Sequence, residues 1–230
     1  MDWGAAKAAP FFFPMSHTNF RRRASPLDSL LSVLDESLRT LSGAGSPARP
    51  SPCTDRARPK AESDRKLSAG LMRVNHAGEI CAQALYCGQA LVARDERVRR
   101  ALQSAASEER DHLAWCRSRL GDLEARPSVL DPAWYAGSFA LGLASGLAGD
   151  RWSLGFLAET EAQVERHLHG HLERLPADDT GSRQVVEKMR EDEIRHGNAG
   201  RALGGVELPR AVKAAMAATS RLMTRTAFWV

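Results

Sequence analysis

Two copies of the pattern Glu-x-x-His are the residues of this sequence best suited to chemistry. Glu109-Arg-Asp-His112 and Glu193-Ile-Arg-His196 each place a carboxylate and an imidazole one helical turn apart on one face. The rest of that face is apolar in both segments, so the pairs are predicted to point into the interior. A buried carboxylate is costly unless a cation pairs with it. The repeated pattern therefore predicts a metal site that takes ligands from both segments.

Two further glutamates complete the predicted ligand set. Glu161 lies in the apolar stripe of its own segment, whereas Glu159 points roughly the opposite way and Glu165 sits at the edge of the stripe. Glu79 lies in an otherwise nearly uncharged segment. These two glutamates precede the next Glu-x-x-His by similar distances, 30 and 32 residues, so the chain reads as two similar helical hairpins.

The six residues together indicate which metal the site takes. One glutamate from each of two helices and one Glu-x-x-His from each of two others is the ligand pattern of di-iron and di-manganese bundles. Four carboxylates and two imidazoles suit iron better than zinc, which prefers closed four-coordinate sites. We therefore predict two iron ions, with the ligands Glu79, Glu109, His112, Glu161, Glu193 and His196.

Helical periodicity supplies the elements that must position these ligands. No run of alternating β-branched residues interrupts it, so the sequence predicts an all-α, ferritin-like four-helix bundle with extra N- and C-terminal helices. The predicted segments are a disordered tail (1–26), an N-terminal helix (27–42), a Pro/Ser/Arg-rich linker (43–66), and a bundle domain (67–230) with helices over 67–93, 95–120, 151–175, 180–203 and 208–228. The second bundle helix is expected to stop before Gly121.

The segment 132–149 between the two hairpins carries no charge over eighteen residues. Its length permits a membrane-spanning helix, but one crossing would place the two hairpins on opposite sides and the ligands could not meet. We expect a hydrophobic crossover or shallow hairpin lying in a membrane interface. The alternative is a buried crossover helix packed on the bundle. Three aromatic residues and four glycines make an open apolar surface that favours the interface.

The charge distribution argues against a nucleic-acid partner. Residues 1–66 hold eleven Lys and Arg against seven Asp and Glu, whereas residues 67–230 hold twenty-one of each. The net charge of +4 therefore lies outside the predicted bundle, which lacks the basic excess that nucleic-acid binding requires. The four cysteines show no CxxC spacing, which indicates a reduced protein on the cytoplasmic side rather than a zinc site or a disulfide framework.

Three extra histidines lie on the third bundle helix. His167 follows Glu161 by six residues and is expected to approach the site from outside. Alternate positions on a helix diverge, so His169 and His171 are expected to face solvent.

Four segments of the chain resemble the demethoxyubiquinone hydroxylases of ubiquinone biosynthesis, and the resemblance covers about residues 27–230. The segments are Arg73-Val-Asn-His-Ala-Gly-Glu79, Glu108-Glu-Arg-Asp-His112, Glu159-Thr-Glu-Ala-Gln-Val-Glu165 and Asp192-Glu-Ile-Arg-His196. The resemblance implies a di-iron monooxygenase that hydroxylates the ring of 2-polyprenyl-3-methyl-6-methoxy-1,4-benzoquinol with O2 and two electrons. It carries over the same six ligands, with Glu161 rather than Glu165 on the third helix.

The resemblance also implies where the protein acts and with what partners. Members of the family attach peripherally to a membrane, here the cytoplasmic face of the cell membrane, and an oligomer or an accessory lipid-binding protein is compatible with that setting. In some members, basic and aromatic residues near the C-terminus are connected with nicotinamide binding, which points to NADH as reductant. Arg221 and Arg225 lie in that region, although Arg225 stands where those members have an aromatic residue.

Three other functions are compatible with a helical bundle of this length. A tRNA-modifying di-iron hydroxylase is expected to carry a basic face, which the neutral bundle lacks. An iron-storage or iron-detoxifying protein is expected to lack the apolar crossover. A structural bundle without metal leaves six buried ionisable groups unexplained.

Overall fold

The computed structural model describes residues 26–44 and 47–230, and this part of the chain contains helices and no strands. The predicted disordered tail lies outside the described residues except for Pro26, which begins the first helix. Seven helices follow one another along the described residues: α1 (Pro26–Ser42), α2 (Glu62–Val92), α3 (Glu96–Asp122), α4 (Asp131–Leu147), α5 (Asp150–Arg174), α6 (Thr180–Ala202) and α7 (Arg210–Ala227).

Helices α2, α3, α5 and α6 form the bundle as two hairpins, with α2 packed along α3 and α5 packed along α6. This arrangement confirms the predicted all-α, ferritin-like fold. Two predicted bounds were wrong. Helix α2 begins five residues before the predicted start at 67. Helix α3 continues through Gly121, because Leu120 and Leu123 on either side are both fully buried in the core and hold the last turn in place.

Two apolar clusters fill the bundle at either end and leave its middle to polar residues. One cluster is centred on Leu71, Met72, Cys116, Leu120, Leu168, Val185 and Met189. The other is centred on Leu85, Tyr86, Leu102, Ala105, Leu154 and Leu157. On α2, α3 and α5 the predicted ligands lie between residues of these two clusters, and on α6 they follow residues of the first cluster, so apolar packing fixes the position of the site along the bundle.

A buried ion pair joins the end of α3 to the start of α6. Asp179 is the N-cap of α6, and its side chain accepts hydrogen bonds from the Ser182 amide at 2.9 Å and from Arg119 Nη2 at 2.7 Å. Arg119 and Asp179 are both almost completely buried, and their contact is the shorter ion pair of Arg119, whose other carboxylate, Asp122, lies 3.7 Å away. The pair therefore sets the register between the two helices that carry Glu-x-x-His.

The crossover 132–149 is one helix, α4, which lies along α2. Of the predicted forms, the structure shows a crossover helix and not a shallow hairpin, because glycines let α4 and α2 pack closely along one continuous face. A Cβ atom on Gly142 would lie 2.2 Å from the Leu85 carbonyl oxygen. The opposite face of α4 remains exposed, with Leu141 at 48% and Leu147 at 64%. Among the described helices, none combines the length and the hydropathy that a membrane crossing requires.

The irregular segment 47–61, which we call the strap, follows the outer side of α3 and α6. The Ala48 amide donates to Asp111, Thr54 pairs with Gln184, and the Ala57 carbonyl accepts from Arg119. The predicted linker is therefore packed against the bundle over most of its length.

Candidate metal centre

The structure brings the six predicted ligand side chains together in the middle of the bundle. Each is at most 5% exposed. They form two groups of four, and within each group one possible ligand atom per residue lies within 4.8 Å of the others. The groups are Glu79, Glu109, His112 and Glu193, and Glu109, Glu161, Glu193 and His196.

Glu109 and Glu193 belong to both groups, as expected for carboxylates that bridge two metal ions. Both histidines turn the same ring nitrogen toward them. His112 Nδ1 lies 2.9 Å from Glu109 Oε2 and 3.3 Å from Glu193 Oε1. His196 Nδ1 lies 3.3 Å from Glu109 Oε1 and 3.5 Å from Glu193 Oε2. The arrangement is that of two adjacent sites sharing two carboxylates.

The donor atoms fit a pair of cations. Glu109 Oε1, Glu161 Oε2 and Glu193 Oε1 are buried without a hydrogen-bond partner among the described residues, as are both ring nitrogens of His196. Buried carboxylates are costly unless a cation balances them. Four ionised glutamates carry the charge that two divalent ions would neutralise. The cluster therefore has the chemistry of a dinuclear site, with both oxygen and nitrogen ligands.

The pKa values of three of the clustered side chains are shifted toward the forms that carry more positive or less negative charge. Burial, helped by the neighbouring Glu109, raises the pKa of Glu79 well above its usual value. Burial also raises the pKa of Glu161, with Glu193 adding to it. Burial by itself would lower the pKa of His112, but the Glu109 carboxylate reverses this and raises it. Metal binding at such a site displaces protons, so we expect metal affinity to rise with pH.

The Nε2 nitrogens of the two histidines, which point away from the shared glutamates, each lie near a carboxylate, but the two contacts differ in length and burial. His112 Nε2 lies 3.2 Å from Asp192 Oδ2, and Asp192 is buried. His196 Nε2 lies 3.5 Å from Glu108 Oε2, and that side chain is 23% exposed. Each acid directly precedes the Glu of the opposite Glu-x-x-His. A carboxylate behind a ligating imidazole fixes its orientation, so His112 is held more firmly than His196.

Sequence reasoning missed one residue of the cluster, Tyr86. Its hydroxyl donates a short hydrogen bond to Glu161 Oε1, and the side chain is fully buried. Burial, with the nearby Glu161 carboxylate, raises the pKa of Tyr86 and keeps the hydroxyl protonated as a donor. The signal was its position seven residues after Glu79, which places it on the same face two turns along.

The extra histidines of α5 differ from the prediction. His169 is exposed as predicted, but His171 is buried, because α5 turns this side chain onto α2, where its Nδ1 lies 2.7 Å from Asn75 Oδ1. Burial, with His167 and Arg174 nearby, lowers the pKa of His171 to about 2. His167 lies outside both ligand groups, with its ring 4.1 Å from that of His171.

The remaining candidate residues lie away from the cluster. Glu165 is half-buried and faces Arg190 at 3.7 Å, which leaves Glu161 as the inward carboxylate of α5. Arg221 and Arg225 are exposed on α7 and contribute to neither ligand group.

An apolar pocket of about 330 Å³ lies between α2, α4, α5 and α7. Gly78 and Thr160 line it, and each directly precedes a residue of the cluster. The other lining residues are mostly apolar and include Ala82, Leu85, Trp134, Leu141, Phe156, Val164, Val212, Met216 and Met223. The pocket therefore adjoins the helices that supply single glutamates, opposite the strap.

Fold and cluster together define a class: a ferritin-like bundle whose interior presents carboxylate and histidine ligands suited to a metal pair. A family model for ubiquinone biosynthesis protein COQ7 matches residues 66–227, which include all six clustered side chains and helices α4 and α7. The chain belongs to the COQ7 family.

Three relatives named 3-demethoxyubiquinol 3-hydroxylase are similar over nearly their whole length. That of Bordetella parapertussis is 54% identical over 211 residues, covering 91% of this chain and 95% of the relative. That of Ralstonia pickettii is 52% identical over 214 residues, covering 88% and 99%. That of Cupriavidus necator is 55% identical over 206 residues, again covering 88% and 99%.

Proposed function

We propose that this protein is a di-iron 3-demethoxyubiquinol 3-hydroxylase. Its substrate would be 2-polyprenyl-3-methyl-6-methoxy-1,4-benzoquinol. The observation that carries the proposal is the pair of buried ligand groups sharing Glu109 and Glu193. The names of the relatives supply the substrate class, and they favour this reading over a tRNA hydroxylase or an iron-storage protein.

Each residue of the cluster has a proposed role. Glu79 and His112 would hold one iron, Glu161 and His196 the other, and Glu109 and Glu193 would serve both. The iron pair, when bound, supplies the activation of O2. Tyr86 holds Glu161 through its hydroxyl, and the apolar clusters at either end of the bundle keep water from the site.

The reaction has a fixed balance of atoms and electrons. One oxygen atom of O2 replaces a ring hydrogen as hydroxyl, and the other leaves as water with two electrons and two protons. The electrons must come from a reductant, for which we propose NADH. Arg221 and Arg225, exposed on α7, are the proposed contacts for that donor.

The apolar pocket is the proposed place for the quinol. Its walls of aliphatic and aromatic side chains suit a benzoquinol ring and the start of a polyprenyl tail. Helices α4 and α7 form its outer walls, so the tail would leave between them while the ring lies toward the clustered glutamates.

We also propose that α4 rests on the cytoplasmic face of the cell membrane. The segment 132–149 has no charge, and its outward face exposes Leu141 and Leu147. Helix α1 lies beside it, since the hydroxyls of Ser37 and Tyr135 are 2.8 Å apart, and α1 exposes further leucines. These are Leu31, Leu34 and Leu38. An accessory lipid-binding protein or a second copy would be the alternative cover for this face.

Quinone profiling tests the proposed function directly. A strain lacking this protein should accumulate the 6-methoxy precursor that has no hydroxyl at the reacting ring position, and the intact gene should restore normal ubiquinone. A Glu193→Ala version should fail to restore it. A normal ubiquinone level in the deletion strain would contradict the proposed function.

A further inference from the structure

Arg49 of the strap contacts both helices that carry Glu-x-x-His, although it lies outside the bundle. Its Nε donates to Asp111 Oδ2 on α3 at 2.6 Å, and its Nη1 donates to Asp192 Oδ2 on α6 at 2.7 Å. Both aspartates are nearly buried, with side chains 4% and 3% exposed. One guanidinium therefore bridges two helices across the outer side of the cluster.

The local surroundings fix the position of this guanidinium. Its central carbon lies 4.9 Å from the centroid of the Trp115 ring, as in a cation–π contact. The Ala48 amide donates to Asp111 Oδ1 at 2.7 Å, so backbone and side chain of the strap bind the same carboxylate. A planar guanidinium with several fixed donors suits two carboxylates at once, which a lysine ammonium cannot match.

One bridged carboxylate leads to a ligand of the candidate metal centre. Asp192 Oδ2, which accepts from Arg49, also lies 3.2 Å from His112 Nε2. The other oxygen of Asp192 accepts from Arg195 at 2.8 Å. Arg49 thus determines how much negative charge the shared oxygen presents to the back of the imidazole, and where that oxygen lies.

We infer that Arg49 is a positioning residue for the metal centre, acting on His112 through Asp192, and that the strap is part of the site. The inference rests on the proposed metal pair. A partner behind a ligating histidine typically changes metal affinity by about 10–100-fold when it is lost. Arg49 contacts Asp192 and not His112 itself, and removing Arg49 leaves the Asp192 carboxylate with one fewer cationic partner.

A merely structural role for Arg49 is the competing explanation, and the strap contains a matched control. Arg56 also binds the bundle from the strap, through Asp122 at 3.2 Å and Ser118 at 3.1 Å. Neither of these partners contacts a residue of the cluster in the described part of the chain. If the strap only pins the chain, loss of either arginine should have similar consequences.

The experiment compares full-length wild type, Arg49→Gln and Arg56→Gln after loading with ferrous iron. Three quantities are measured: iron per chain, the rate of iron loss to a chelator, and the midpoint potential of the bound iron. For Arg49→Gln we expect iron loss about tenfold faster and a lower potential. The potential falls because an Asp192 with less neutralised charge makes His112 a stronger donor, which favours ferric iron. Arg56→Gln should match wild type in all three.

A double-mutant cycle with Asp192→Asn tests the route. In that background Arg49→Gln should speed iron loss little further. If Arg49→Gln does not fold, Arg49→Lys, which keeps the charge without the bridge, takes its place: iron loss should again be faster than in wild type, while the potential should stay closer to the wild-type value.

An Arg49 variant that matches Arg56→Gln in iron loss and potential would overturn the inference, and so would full additivity with Asp192→Asn. A wild-type protein that binds no iron would instead overturn the proposed function on which the inference rests.

Discussion

The two sides of the candidate metal centre are built from opposite kinds of residue. On the α3 and α6 side, Asp111, Asp192 and Glu108 face Arg49 and Arg195 in a network of short ion pairs. On the α2 and α5 side, the cluster adjoins the apolar pocket, which α4 and α7 enclose. The charged side is suited to orienting ligands, and the apolar side to admitting a substrate with a hydrocarbon tail.

Because the two sides differ in this way, metal binding and substrate binding should be separable in this protein. A change on the charged side should alter iron retention with little effect on substrate binding in the pocket. A change on the apolar side should alter substrate binding with little effect on iron retention. Only the six residues between the two sides should affect both.

The largest effect is expected where the two sides meet. Glu193→Ala removes a carboxylate shared by both ligand groups, so both irons and all hydroxylase activity should be lost. Glu165→Ala is the matched control, because Glu165 is half-buried outside the cluster. Iron analysis and turnover of the purified variants decide the matter. Two irons per chain in Glu193→Ala would refute the ligand assignment, and loss of iron in Glu165→Ala would show that the inward carboxylate of α5 was misassigned.

The outer face of α4 should control membrane binding without affecting iron. Changing Ala144 and Leu147, which are exposed on α4 and do not line the pocket, to Asp introduces two charges, each costing about 2–3 kcal/mol at hydrocarbon depth. The double variant should no longer float with liposomes, yet keep two irons and its activity on a short-tailed quinol. Leu203→Asp, at the exposed residue that caps the C-terminal end of α6, should float like wild type. A wild-type protein that never floats would show that this face does not bind membranes.

A narrower pocket should weaken substrate use alone. Gly78 lines the pocket, and a Cβ there would meet no atom within 4 Å, so Gly78→Leu fills space without a backbone clash. We expect kcat/KM to fall about tenfold or more, the scale on which small changes in an apolar pocket act, with iron content unchanged. Gly170→Leu has equally free space on α5 but lies outside the pocket, and it should behave as wild type. Equal activity of the two variants would argue against the pocket as the quinol site.

The last expected effect is on folding stability and concerns the charge of His171 on the α2 and α5 side. Because His171 has a pKa of about 2 when folded, only the unfolded chain takes up its proton as the pH falls below about 6.5. The free energy of unfolding should therefore drop by about 1.4 kcal/mol per pH unit between pH 6 and 4 from this residue. His171→Gln should flatten that slope in chemical denaturation, while His169→Gln, at an exposed position, should leave it unchanged. If the free energy of unfolding depended on pH equally in both variants, His171 would not be held neutral by burial in the folded protein.

The sequence predicted the features that depend on local periodicity. Glu109 and His112 stand on an apolar helical stripe, so their meeting with the second Glu-x-x-His followed from helix geometry and the hairpin repeat. Their convergence is seen in the structure, while their roles as iron ligands remain a prediction. The sequence left the form of the crossover open between a shallow hairpin and a packed helix, because the choice depends on close packing of Gly142 on α2.

The unpredicted residues share one property: their partners are far away in the chain. Tyr86 binds Glu161, His171 binds Asn75, and Arg49 binds Asp192 from 143 residues away. A linker rich in proline and arginine gives no periodic signal that it will lie along two helices. Such contacts depend on how the hairpins dock, which one sequence does not specify.

The proposed reaction is hydroxylation of a quinol with O2 at the cluster of six side chains, which would hold two irons beside the apolar pocket. A single-turnover experiment tests it most directly. Metal-free protein is loaded with two ferrous ions per chain, mixed with a short-tailed demethoxyubiquinol, and exposed to ¹⁸O₂. We expect one hydroxylated product per loaded chain, with one ¹⁸O atom in its new hydroxyl group. Hydroxylation by protein without iron, or product without ¹⁸O, would contradict it.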